Sequence, residues 1–100
     1  MSSSVSKKAA ALIAKLRSKS GTSRDGVVEE LAQLGPSVVP PLMKALAEND
    51  DYRVRMAAAE ALAVIGDERA IPTLIDALSD SSKNTQEAAA EALARIGDAA

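Results

Sequence analysis

Residues 57–67 read AAAEALAVIGD and residues 88–98 read AAAEALARIGD. Ten of the eleven positions are identical, and the two stretches lie 31 residues apart. Self-similarity at a fixed period of this size marks a stack of supersecondary units, none of which can bury its own apolar face alone. The period continues backwards. Leu93, Ile96 and Gly97 step to Leu62, Ile65 and Gly66, and again to Leu31, Leu34 and Gly35. A second series keeps nearly the same step: Leu12, Ile13 and Leu16; Leu42, Met43 and Leu46; Leu74, Ile75 and Leu78. Its middle member is one residue out of phase, and a shorter loop before it and a longer one after it cancel the slip.

Both series show the 3.6-residue apolar stripe of amphipathic helices. The spacing predicts a first helix from Val5 through Leu16 and a second over about 24–34 that buries Val27, Leu31 and Leu34. A third follows over about 38–48, with Ser37 as N-cap and Pro40 and Pro41 in the first turn, where a missing N–H costs nothing. The fourth covers about 52–65, with Val54, Ala58, Ala61, Leu62 and Ile65 inward and an Asp of the 50–51 pair as cap. The fifth covers about 68–79, capped by Asp67, with Ile71, Leu74, Ile75 and Leu78 inward. The sixth covers about 85–96 and stops at Gly97. Residues 18–23 and 80–84 are expected as loops. The fold expected is all-α: one domain, a right-handed α-α superhelix (solenoid) of three helix-turn-helix repeats at about 5–35, 36–66 and 67–98.

Composition narrows the function. The 100 residues include no Cys and no His, and Tyr52 is the single aromatic. Disulfides, thiolate metal sites and Cys nucleophiles are excluded, and so is the commonest general base and metal ligand. No Gly-rich phosphate loop or Ser-based triad can be assigned, so no enzyme, no metal and no cofactor are expected. No apolar run approaches the roughly 18–20 residues of a membrane span. Charge is uneven. Residues 1–24 hold six bases and no acid, while residues 25–100 hold six bases and fourteen acids. A basic, Ser-rich N-terminus suits a transit peptide, but a cleaved peptide has no reason to share the repeat period. The expected location is the cytoplasm.

At this point a family becomes recognisable. Val54-Arg55, Ala57 through Leu62, Ile65 through Pro72, and Leu74-Ile75-Asp76-Ala77-Leu78 together resemble the short HEAT repeat, in the form found in phycobilisome-lyase-like proteins. The resemblance is specific over about 36–98 and weaker over 5–35. It implies Pro-bearing first helices on the convex side and Ala-rich second helices on the concave side. The family's Arg maps onto Arg24 and Arg55, with Gln86 in the third repeat. The Val before it is Ser23 and then Thr85 in repeats one and three, so a looser joint is expected at repeat three. Tetratricopeptide and ankyrin repeats do not fit: the first needs aromatics, the second a Thr-Pro-Leu-His type start. Designed consensus proteins of the family exist, and the divergence of repeat one favours a natural chain.

Solenoids bind along their concave face. Residues spaced by four on the second helices project together: Asp25, Glu29 and Gln33; Met56, Glu60 and Val64; Glu87, Glu91 and Arg95. Glu29, Glu60 and Glu91 fall in register as a carboxylate ladder. It reads either as an acidic groove for a protein partner with a basic segment, or as a solvated helix face chosen for helicity. Interhelical spacings of ~9–10 Å put the rungs too far apart for one metal ion's oxygen shell. Lys7, Lys8, Lys15 and Lys19 suit either phosphates or a polar end cap. With no aromatic for base stacking, nucleic acid is not expected, nor is a membrane. At the other end Gly97-Asp98 matches Gly66-Asp67, so some apolar surface should remain there. A piece of a longer solenoid, end-to-end self-association through the C-terminal repeat, and simple tolerance all account for it. The function expected is a non-catalytic protein-interaction scaffold. The alternative, implied by the resemblance alone, is an accessory subunit or chaperone of a bilin lyase system.

Overall fold

The structure is a computed structural model that describes residues 2–17 and 24–99, with side chains for 7–17 and 26–98. The predicted loop at 18–23 lies outside the described residues. Among these residues there are six α-helices: α1 (Ser2–Arg17), α2 (Arg24–Gln33), α3 (Val39–Glu48), α4 (Tyr52–Ile65), α5 (Ile71–Ala77) and α6 (Lys83–Ala99). Short 3-10 turns, Gly35–Val38 and Glu68–Ala70, precede α3 and α5.

The helices form two layers. In one, α3 packs between α1 and α5; in the other, α4 packs between α2 and α6. Each odd helix also pairs with the even helix that follows it. The fold is therefore an all-α solenoid of three helix pairs, 30 × 30 × 20 Å overall.

Helix α4 explains the Ala-rich signature. It has neighbours on three sides, and Ala57, Ala58, Ala59, Ala61, Leu62 and Ala63 are all buried. Methyl side chains let three helices approach one axis, and Ala has the highest helix propensity. Leu31, Leu42, Leu46, Leu62, Leu74 and Ile96 fill the remaining space as the largest fully buried side chains. A fully buried aliphatic of this size contributes about 1.5–3 kcal/mol relative to exposure.

The helix starts are local chemistry repeated at the period. Asp51 caps α4 by accepting from the Arg53 N–H at 2.9 Å, as expected. Its equivalent 31 residues later, Ser82, begins α6: the Ser82 carbonyl accepts from Gln86 N–H and its Oγ from Thr85 N–H. Asp67 accepts from Arg69 N–H at 2.9 Å, and the Arg69 guanidinium reaches across to the Pro36 carbonyl at 3.0 Å.

Four expectations need correction. Ser37 caps nothing: the chain tightens into a 3-10 turn that carries Val38 and Val39 fully into the core, and α3 starts without a side-chain cap. Helix α5 is shorter than predicted, because Pro72 must sit in its first turn and residues 68–70 wind more tightly to bury Ala70. Ile75 and Leu78 do not point inward; they are 53% and 42% exposed, because the described residues pack on α5 chiefly from the α3 and α6 sides. Helix α6 begins at Lys83 and runs through Gly97 to Ala99. Glycine permits a left-handed turn without imposing one. At Gly66 (φ 72°) the Asp67 cap and buried Ala70 hold the turn, and no described residue beyond Gly97 does so.

The looser joint at repeat three is also not found. Thr85 is fully buried, and its hydroxyl donates to the Tyr52 carbonyl of α4 at 3.3 Å. The Gln86 amide donates to the Asp80 carbonyl at 2.6 Å.

Candidate functional site

The even helices supply the site. Val28 and Glu29 of α2, Glu60, Ala63 and Val64 of α4, and Ala88, Glu91 and Arg95 of α6 line one concavity of about 470 Å³. Its three carboxylates come from successive helices at an interval of 31 residues. The period that stacks the helices therefore also aligns the acids. Val28 and Ala63 are buried at its base, Ala88 is half-buried, and Val64 is 53% exposed. The surface is an apolar floor bordered by three formal negative charges, with the Arg95 guanidinium among them.

Of the residues singled out by four-residue spacing, Glu29, Glu60, Val64, Glu91 and Arg95 come together here. Gln33 and Glu87 are exposed and Met56 is half-buried, and all three lie outside the concavity. The side chain of Asp25 is not among those described. Spacing by four missed Val28, Ala63 and Ala88. The signal was present, because residues three apart share a helix face as well: Ala63 follows Glu60 by three and Ala88 precedes Glu91 by three.

The arrangement suits binding. It offers three carboxylate acceptors, one guanidinium and apolar area. Among the described residues no group of three or more acids is close enough to hold a metal ion. No helix among them is long and apolar enough to cross a membrane.

Outside the groove, charge is used for structure. Arg53 folds back on Asp51 through Nη2–Oδ2 at 2.8 Å and Nε–Oδ1 at 3.1 Å. This side-chain hydrogen bond is the main reason the Asp51 carboxyl is held down at about 2. Burial pushes the Asp80 carboxyl up, but hydrogen bonds from Arg55 and the Ser82 N–H, with the Arg55 charge, leave it below the ordinary carboxylate value.

Sequence comparison agrees with this architecture. A model of HEAT repeats matches residues 9–94. A phycocyanobilin lyase subunit alpha from Picosynechococcus sp. is 39% identical over 72 residues, an alignment covering 64% of this chain. The chain spans about a quarter (26%) of that relative's length. With the match covering most of the three helix pairs, the chain belongs to the HEAT-repeat family.

Proposed function

We propose that the chain is a non-catalytic protein-interaction scaffold whose concave groove receives a partner segment that is both basic and partly apolar. The alignment of Glu29, Glu60 and Glu91 along an apolar-floored concavity carries this reading. HEAT-repeat proteins commonly act in protein interaction and are generally non-catalytic. The physics suits a cationic amphipathic segment. Its apolar side chains cover Val64 and the alanines, while its Lys or Arg heads meet the ladder at the rim. Charge complementarity of this kind sets encounter rate and partner choice more than raw affinity.

The test is fluorescence anisotropy with a labelled Lys/Leu amphipathic helical peptide, at low and high salt. The wild type should bind it with an affinity that falls with salt. A variant carrying Glu29→Gln, Glu60→Gln and Glu91→Gln should lose most of that binding, with an unchanged helical circular dichroism spectrum. Equal affinity and equal salt dependence in the variant would sink the proposal.

One observation favours a second reading, an accessory subunit or chaperone of a bilin lyase system: the 39% identity to a phycocyanobilin lyase subunit. Mixing the chain with phycocyanobilin should then change the visible absorbance, which a plain adaptor leaves unaltered.

A further inference from the structure

Between residues 57–67 and 88–98 ten of eleven positions are identical, and the exception is Val64 against Arg95. Packing accounts for much of the shared set. Ala58 and Ala61 are buried in α4, and their counterparts Ala89 and Ala92 are buried in α6. The position that differs lies where packing makes no demand: Val64 is 53% exposed, and Arg95 is exposed as well. Both line the groove. The carboxylate row beside them does not vary, since Glu29, Glu60 and Glu91 are the same residue in all three repeats.

The two rows therefore carry different information. Three identical carboxylates attract any cationic segment and favour no register along the array. The row of Val64 and Arg95 does distinguish one repeat from the next. Exposed Val64 favours apolar cover, because that removes its surface from water. The Arg95 guanidinium favours a carboxylate, whose two oxygens match its planar fork. A lysine of the partner placed over Arg95 meets like charge, and an apolar side chain placed there strips water from a cation.

We infer that Val64 and Arg95 set the specificity of the groove: the partner segment, otherwise basic, presents an apolar side chain to Val64 and a single carboxylate to Arg95. The fold also fixes their separation. Helices α4 and α6 pack side by side, and the axes of packed helices lie about 8–10 Å apart. In a helical segment laid along the array, seven residues rise about 10.5 Å and return to nearly the same face after two turns. The carboxylate therefore belongs on the apolar face of the segment, seven residues from the side chain that covers Val64. This inference rests on the scaffold reading, since it specifies the segment that the groove receives.

The experiment is fluorescence anisotropy with three labelled helical peptides. The first is the Lys/Leu peptide. In the second, one Leu seven residues from another Leu is replaced by Glu. In the third, a Lys on the polar face is replaced by Glu. Each is titrated with the wild type, Arg95→Val and Glu29→Gln. Arg95→Val installs at an exposed site the residue that the preceding repeat already carries there, so the helical circular dichroism should not change. It should weaken binding of the second peptide relative to the first by about five-fold, the upper end for an exposed charge pair. The third peptide should show no such shift, and Glu29→Gln should weaken all three alike. An unchanged ratio between the first two peptides in Arg95→Val, or an equal shift for the third, overturns the inference and leaves the scaffold reading standing. A wild type that binds none of the peptides overturns both.

Discussion

Arg55 of the second repeat and Asp80 of the third are joined by a two-pronged ion pair, Nε–Oδ2 at 2.9 Å and Nη2–Oδ1 at 3.0 Å. The side chains are 12% and 10% exposed. The same guanidinium donates through Nη1 to the Asn49 carbonyl at 2.8 Å. Asn49 and Asp80 are repeat equivalents, as are Arg55 and Gln86, and Gln86 donates to the Asp80 carbonyl just as Arg55 does to that of Asn49. One rule therefore operates in both repeats: a long side chain in the first turn of the even helix closes the carbonyl six residues back. Arg55 does this and also holds the neighbouring repeat.

Removing either partner leaves a shielded charge without its mate. Arg55→Ala should lower unfolding stability by about 2 kcal/mol, the range for hydrogen bonds to charged groups at a site this shielded. Arg55→Lys should recover only part of it, since a point ammonium cannot bind Asp80 and Asn49 in a planar fork. Urea denaturation checks this. In a double-mutant cycle with Asp80→Ala, the combined loss should be less than the sum.

Gly66 and Gly97 occupy the same repeat position but should respond in opposite directions to one substitution. Gly66 has φ 72°, and an added Cβ meets nothing within 4 Å, so the penalty for Ala is conformational alone. Gly66→Ala should cost about 1 kcal/mol. Gly97 lies inside α6 with no positive φ and open space around its Cα. Gly97→Ala should stabilise, by up to about 1 kcal/mol. Thermal melts of the two variants should move in opposite directions.

This pair also marks where sequence reading reached its limit. The 31-residue step, the helix types and the acid ladder were legible because each is a periodicity, and stacking repeats a periodicity in space. The conformation of Gly97 was not, since glycine allows a left-handed turn and only the packing of later residues selects it. Ile75 and Leu78 misled for the same reason. Their stripe predicts burial, but what buries such a stripe is the following repeat, and that is not a property of α5. The corners at Gly35–Val38 and Glu68–Ala70 read as ordinary helix starts, because the propensities of Ser37 and Glu68 do not reveal that Val38 and Ala70 must reach the core. In the groove, Glu29, Glu60 and Glu91 followed from register, whereas the apolar floor of Val28, Ala63 and Ala88 required knowing which helix edges face each other.

The same argument separates two leucines in one repeat position. Leu62, on the doubly covered helix α4, is fully buried, while Leu93 on α6 is half-buried. Leu62→Ala should cost about 3 kcal/mol, within the cavity-forming range. Leu93→Ala should cost roughly half as much, because its removed atoms are partly solvated. Denaturant midpoints should rank them in that order; equal losses would mean the α6 face is covered in solution.

Acid stability follows from the carboxylates placed beside arginines. Asp51 is held at about 2 by Arg53, and Asp80 is held below the ordinary value by Arg55 despite the opposing effect of burial. Asp67 is depressed by Arg69 in the same sense, but that pair is more exposed and contributes less. A carboxyl with a folded pKa below its unfolded value binds fewer protons in the folded state, so stability rises with pH through that interval. The contribution is fully present above the unfolded value of about 4, and for Asp51 it is lost as pH falls towards about 2. Urea midpoints measured across this window should therefore fall steadily with acid. Asp80→Asn should start from a lower midpoint at neutral pH and lose less on acidification, because one of the titrating groups is gone. A variant curve that parallels the wild type would show that Asp80 does not titrate with folding.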